Sequence, residues 1–80
     1  MIYILQESSM NGTVTMGTQV TGIEADDFEA AVDRLKTVLA VKFPDVKIDV
    51  NEHRANYTIA TGHFPIPGWL SSTPLKMLGG

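Results

Sequence analysis

Between residues 28 and 43 the apolar side chains Phe28, Ala31, Val32, Leu35, Val38, Leu39 and Phe43 recur at helical spacing. They form one stripe, and Asp33, Arg34, Lys36 and Thr37 fill the opposite side, so the segment reads as an amphipathic helix with a single face to bury. It is the only such stripe in the chain, and one helix cannot bury its face alone. The flanking segments must supply a sheet for it to lie on. The start of the helix is marked in the sequence. Asp26 is expected to cap the free amides of the first turn, with Glu29 reaching back as in a capping box. Asp27 adds negative charge where the helix dipole is positive. Pro44 disfavours helical geometry at Phe43, which predicts a stop near Lys42.

The segments on either side read as strands. Ile2-Tyr3-Ile4-Leu5 is apolar at every position, the pattern of a central strand covered on two sides. Asn11-Gly12 supplies a hairpin turn. Val14, Met16, Thr18 and Val20 then alternate with Thr13, Thr15, Gln19 and Thr21, giving a half-solvated strand paired antiparallel with the first. Gly17 in its middle marks a bulge or a close approach. After the helix, Val46, Ile48 and Val50 alternate with Lys47, Asp49 and Asn51 as a third strand. Glu52-His53-Arg54-Ala55 reads as a polar connection, and Tyr57, Ile59 and Thr61 against Thr58 and Ala60 as a fourth strand. The expected architecture is therefore α+β: a two-layer sandwich in the order strand, strand, helix, strand, strand. One helix crosses an antiparallel or mixed four-stranded sheet, and residues 1–80 make one domain.

Composition narrows the function. The 80-residue chain has no cysteine, so neither a disulfide nor a thiolate metal site can staple it, and stability must come from the core. The net charge of −3, from nine acids and six bases, argues against a phosphate backbone as partner. No apolar run approaches the roughly 20 residues of a membrane helix. The opening MIYILQESS lacks the basic start of a secretory leader, so a cytoplasmic location is expected, the host's cytoplasm if the chain is viral.

Residues 62–80, GHFPIPGWLSSTPLKMLGG, are expected to form an irregular tail, because three prolines and four glycines disfavour a central strand. The tail nevertheless carries Phe64, Ile66, Trp69, Leu70, Leu75, Met77 and Leu78. Burial of such side chains is worth roughly 1.5–3 kcal/mol each, so the segment is expected to pack on its own sheet, a second copy or another protein. A proline-stiffened stretch presents aromatic anchors at little ordering cost. The expected protein-binding surface is thus Phe64, Ile66, Trp69 and Leu70, with Glu52, His53 and Arg54 from the neighbouring loop. The competing reading makes the same segment a lid on the core. At its end, Ser72 or Thr73, Pro74 and Gly79 frame one short helical turn.

Catalytic patterns are scarce. There is no cysteine nucleophile and no serine in a nucleophile elbow. His53 and His63 both fall in connections, Asp49, Glu52 and His53 match no metal-ligand spacing, and Asp26 and Asp27 are explained by capping. GTQVTG lacks the lysine of a phosphate-binding loop. The cluster His53, Arg54, Asn56 and Tyr57, continuing to His63 and Phe64, carries too little positive charge for a single-strand binder. No enzymatic activity, cofactor or metal is expected.

The hairpin-then-helix order, the starting MIYIL, the length and the terminal Gly79-Gly80 together resemble the β-grasp family of ubiquitin-like modifiers and sulfur carriers. IDVNE around Asn51 is also similar to a strand of the carriers. The resemblance implies a carboxyl-terminal glycine that is adenylated, Gly80, with Gly79 as its slender neighbour. It also implies a last strand parallel to the first; here Pro65, Pro67 and Pro74 occupy that stretch. Three functions are thereby on the table. The leading expectation is a small non-enzymatic module that binds another protein, by size and composition similar to virus-encoded inhibitors of host complexes, anti-CRISPR proteins included. The alternatives are the glycine-tailed carrier and a homodimeric structural subunit joined through edge strands or the tail.

Overall fold

The computed structural model describes residues 1–62 and 64–75. Strands β1 (Ile2–Asn11) and β2 (Val14–Glu24) form the hairpin, α1 (Phe28–Lys42) follows, and β3 (Asp49–Val50), β4 (Arg54–Ile59) and β5 (Ile66–Ser71) complete the order. The class is α+β, with the expected strand, strand, helix, strand, strand succession extended by one strand. All pairings are antiparallel, in a single five-stranded sheet ordered β2-β1-β5-β4-β3.

The hairpin closes on Gly12-Thr13, flanked by the pair Asn11 and Val14. Of these two turn residues only Gly12 has positive φ, at 62°, so the turn has the glycine-first pattern of type II′ and not the Asn-Gly pair at its centre. The register slips between Ser9, opposite Gly17, and Met10, opposite Thr15. Met16 is the extra residue of a bulge beside Gly17, as the sequence suggests. The helix is capped one residue later than expected. Asp27 is the N-cap, its Oδ1 accepting from Ala30 N at 2.8 Å. Glu29 therefore stands too near the cap to reach back as a capping-box partner. The helix ends at Lys42, with Phe43 as C-cap, as Pro44 predicts.

The proline-rich segment is the main departure from expectation. It supplies β5, a central strand between β1 and β4. Its pairing with β4 runs the whole way from Ile66 to Ser71, whereas its pairing with β1 covers only Gly68 to Leu70. Pro65 precedes the strand and Pro67 lies where the β1 ladder is absent, so proline's missing donor falls outside that ladder. The resemblance to β-grasp proteins stops at this point, because β5 runs antiparallel to β1. The third strand is also shorter than expected. Only Asp49 and Val50 pair, while Val46 and Ile48 pack on the core from the connection. Conversely, Arg54 and Ala55 belong to β4, and the turn before them is held by Asn51 Oδ1, which accepts from the amides of His53 and Arg54.

The core lies between α1 and one face of the sheet. Ala31, Val32, Leu35 and Leu39 of the helix meet Tyr3, Leu5, Ala55, Tyr57, Ile59 and Leu70. In β4 and β5 this face runs Ala55-Tyr57-Ile59 and Leu70-Gly68-Ile66, paired across the ladder. Gly68 is the small residue that admits the Tyr57 ring. The Tyr57 hydroxyl continues past it to donate to Glu7 Oε2 at 2.6 Å, and Glu7 is Gly68's partner on the other side. Burial first, and then the Glu7 carboxylate as hydrogen-bond partner and negative charge, raise the Tyr57 hydroxyl far above the usual tyrosine range.

Candidate protein-binding face

The helix covers one face of the sheet, and the alternation of side chains assigns the other face without ambiguity. Leu70 pairs with Leu5 and Ala55, all buried. Its neighbour Trp69 pairs with Gln6 and Asn56 and therefore points to the side away from the helix. The register extends this row to Val20 beyond Gln6 and to Asp49 beyond Asn56. A second row holds Arg54 opposite Ser71. Ile2 and Ile4, opposite Glu24 and Gly22, lie on the same face of β1.

Two side chains dominate the centre of this face. The Arg54 guanidinium carbon lies 5.4 Å from the Trp69 ring centroid, a cation–π contact. Trp69 keeps 37% of its surface exposed, and among the described residues no carboxylate pairs with Arg54. The stack holds the guanidinium in place and leaves its hydrogen-bonding fork to solvent. Around it stand the neutral side chains Gln6, Asn56 and Ser71, all half-buried. This is a rigid patch, since its backbone belongs to the three central strands of the sheet.

The seven residues expected to form a binding surface are thus divided by the sheet. Leu70 is fully buried and belongs to the core, a correction dictated by strand alternation. Ile66 is half-buried and packs on the same core. Phe64 is exposed in the connection before β5. Glu52 and His53 form an exposed pair at the β3–β4 turn, His53 Nε2 to Glu52 Oε1 at 3.2 Å, an arrangement that contributes little in water. The His53 carbonyl accepts from the amide of Ser72, which ties this turn to the end of β5. Of the seven, Trp69 and Arg54 are the two that come together at the centre of the uncovered face. Gln6, Asn56, Ser71 and Val20 join them, a grouping with Trp69 that depends on the register of β5 and that residue patterns do not show. Their signal was the alternation Gly68-Trp69-Leu70, hidden by the neighbouring prolines.

Asp49, weighed beside Glu52 and His53 as a metal ligand, lies in β3, and among the described residues no group of three His, Cys, Asp or Glu is placed to hold a metal. No described helix is long and apolar enough to cross a membrane. His63, and Gly79 and Gly80 of the carrier reading, lie outside the described residues, as does most of the short turn expected near Pro74. Comparison with known proteins gives no match to a family model, a curated protein or a solved structure.

Proposed function

We propose that this chain is a non-catalytic protein-binding domain whose contact surface is the uncovered sheet face centred on Trp69 and Arg54. One observation carries the reading: an exposed tryptophan holds an arginine that, among the described residues, pairs with no carboxylate, in the middle of a stiff sheet face where Gln6, Asn56 and Ser71 are its neutral neighbours. Trp and Arg are the residues most enriched at the energetic centres of interfaces, and rigid presentation lowers the ordering cost of binding. The chemistry asks for a partner with an apolar recess for the indole beside a carboxylate for the guanidinium. A module of this kind acts by occupying a surface. That is the mode of a small inhibitor of a larger protein complex, the class to which size and composition point.

Site-specific photocrosslinking in the native cell tests it. A photoreactive side chain at Asn56 is expected to give a discrete adduct that Arg54→Glu abolishes and that the same probe at Thr37, on the helix, does not give. Equal adducts from both positions, or an Asn56 adduct indifferent to Arg54→Glu, would count against the reading.

A further inference from the structure

The two edges of the sheet are unlike. β3 is two residues long, and the chain around it carries Lys47, Asp49 and Glu52. Short, charged edges do not template a further strand. β2 is eleven residues long and, among the described residues, is paired on one side only. From Ser8 to Ile23 the hairpin that carries it contains neither a charged residue nor a proline. Val14 and Val20 stand 60% and 61% exposed along it. An outer strand of that length and composition presents an unprotected row of backbone donors and acceptors.

The helix side of this edge is also unfinished. A recess of about 280 Å³ opens between α1 and β2, walled by Leu5, Ile23, Leu35 and Val38, with Glu24 and Arg34 contributing its polar part. Val38 belongs to the apolar stripe of the helix yet is 62% exposed. The sequence writes it as a core residue, and a single copy of the chain leaves it uncovered.

We infer that β2 is the seam of a two-fold homodimer, in which β2 of one copy pairs antiparallel with β2 of a second. The unlike edges argue for a second copy as occupant. Joining the two open edges consumes both, and the ten-stranded sheet that results ends in β3 on either side. Assembly therefore closes at two. Self-pairing opposes no like charges along Ser8–Ile23 in any register, because there are none. A two-fold axis perpendicular to the sheet keeps both helices on one side, so the exposed Val38 side chains border the seam from both copies. It also keeps both Trp69 faces on the other side, as one bivalent surface. The dimer stands independently of what binds that surface.

Sedimentation velocity from micromolar to near-millimolar concentration tests the seam. The expected result is a species of twice 8.7 kDa. Val20→Lys, which puts a charge on the open edge of each copy, should weaken it by at least about tenfold, while Trp69→Ala should leave it unchanged. Hydrogen exchange of the unmodified chain supplies a second measurement that needs no variant. Alternate amides of β2, those directed away from β1, should be protected in the dimer and lose protection on dilution. A strict monomer across the range overturns the inference. So does a dimer whose β2 amides exchange identically at both ends of the dilution, or one that Trp69→Ala dissociates and Val20→Lys does not.

Discussion

The ring of Tyr57 lies across Gly68: a Cβ on that glycine would stand 2.8 Å from Tyr57 Cε1, and closer still to Cζ and the hydroxyl oxygen. The glycine is therefore a packing requirement of the sheet's centre. Its two strand partners, Tyr57 in β4 and Glu7 in β1, join hands over it through the hydrogen bond between them.

Gly68→Ala should destabilise the fold by about 1–3 kcal/mol, the range for overpacking a well-filled core. Urea denaturation measures it. In a Tyr57→Ala background the same substitution should cost less, since the ring that it strikes is gone, and the non-additivity of the double-mutant cycle reports the contact directly.

Alkaline pH should expose the same pair. The folded Tyr57 hydroxyl holds its proton above the usual tyrosine value of about 10, so above that pH the unfolded chain binds fewer protons than the native one. Stability is then unaffected by this group below about pH 10 and falls as pH rises beyond it, by up to about 1.4 kcal/mol per pH unit. Tyr57→Phe should remove that slope while costing about 0.5–1.5 kcal/mol near neutrality for the lost hydrogen bond. Denaturation midpoints at stepped alkaline pH check both parts.

Trp69 and Leu70 are adjacent in sequence and opposite in consequence. Leu70→Ala should cost about 2–5 kcal/mol, as for a fully enclosed leucine. Trp69→Ala should cost less and leave the circular dichroism spectrum native, since its indole looks away from the core. Arg54→Ala should cost no more than about 0.5–1 kcal/mol and shift the fluorescence of the single tryptophan. An Arg54→Ala variant with unchanged Trp69 emission would contradict the stack.

The helix cap offers a test of one-residue precision. Asp27→Ala should lose about 0.5–2 kcal/mol by stranding the Ala30 amide. Asp26→Ala, one position earlier and exposed, should stay within about 0.5 kcal/mol of the unmodified chain. Thermal melts of the two variants decide between the neighbours.

Much of this architecture was legible in residue patterns. The helix, its stop before Pro44 and the first hairpin with its bulge all follow from periodicity and from local breakers acting at short range. The cap was misplaced by one residue because two adjacent aspartates satisfy the same rule, and only the geometry of the preceding chain selects Asp27. The fifth strand was illegible for a different reason. Pro67 and Gly68 read as breakers when taken alone, yet Pro67 falls where the ladder to β1 is missing and Gly68 answers to a tyrosine on another strand. Those are facts of register, set by residues far away in the chain. The candidate face has the same dependence on register: residue type points to Trp69 and Arg54 but equally to Leu70, and nothing local groups Gln6, Asn56 and Ser71 with Trp69.

The placement of β5 also orders the assembly of the molecule. The β1–β2 hairpin and the β3–β4 hairpin share no ladder with each other; each is bonded to the same late-coming segment, which is inserted between them. Until residues 66–71 arrive, the two halves are separate ribbons with only the helix between them, and neither has a neighbour on its inner edge. Closure of the sheet is thus a single long-range event, a topology that slows folding relative to locally wired chains. A nascent chain must therefore wait for residues 66–71 before its layers can lock.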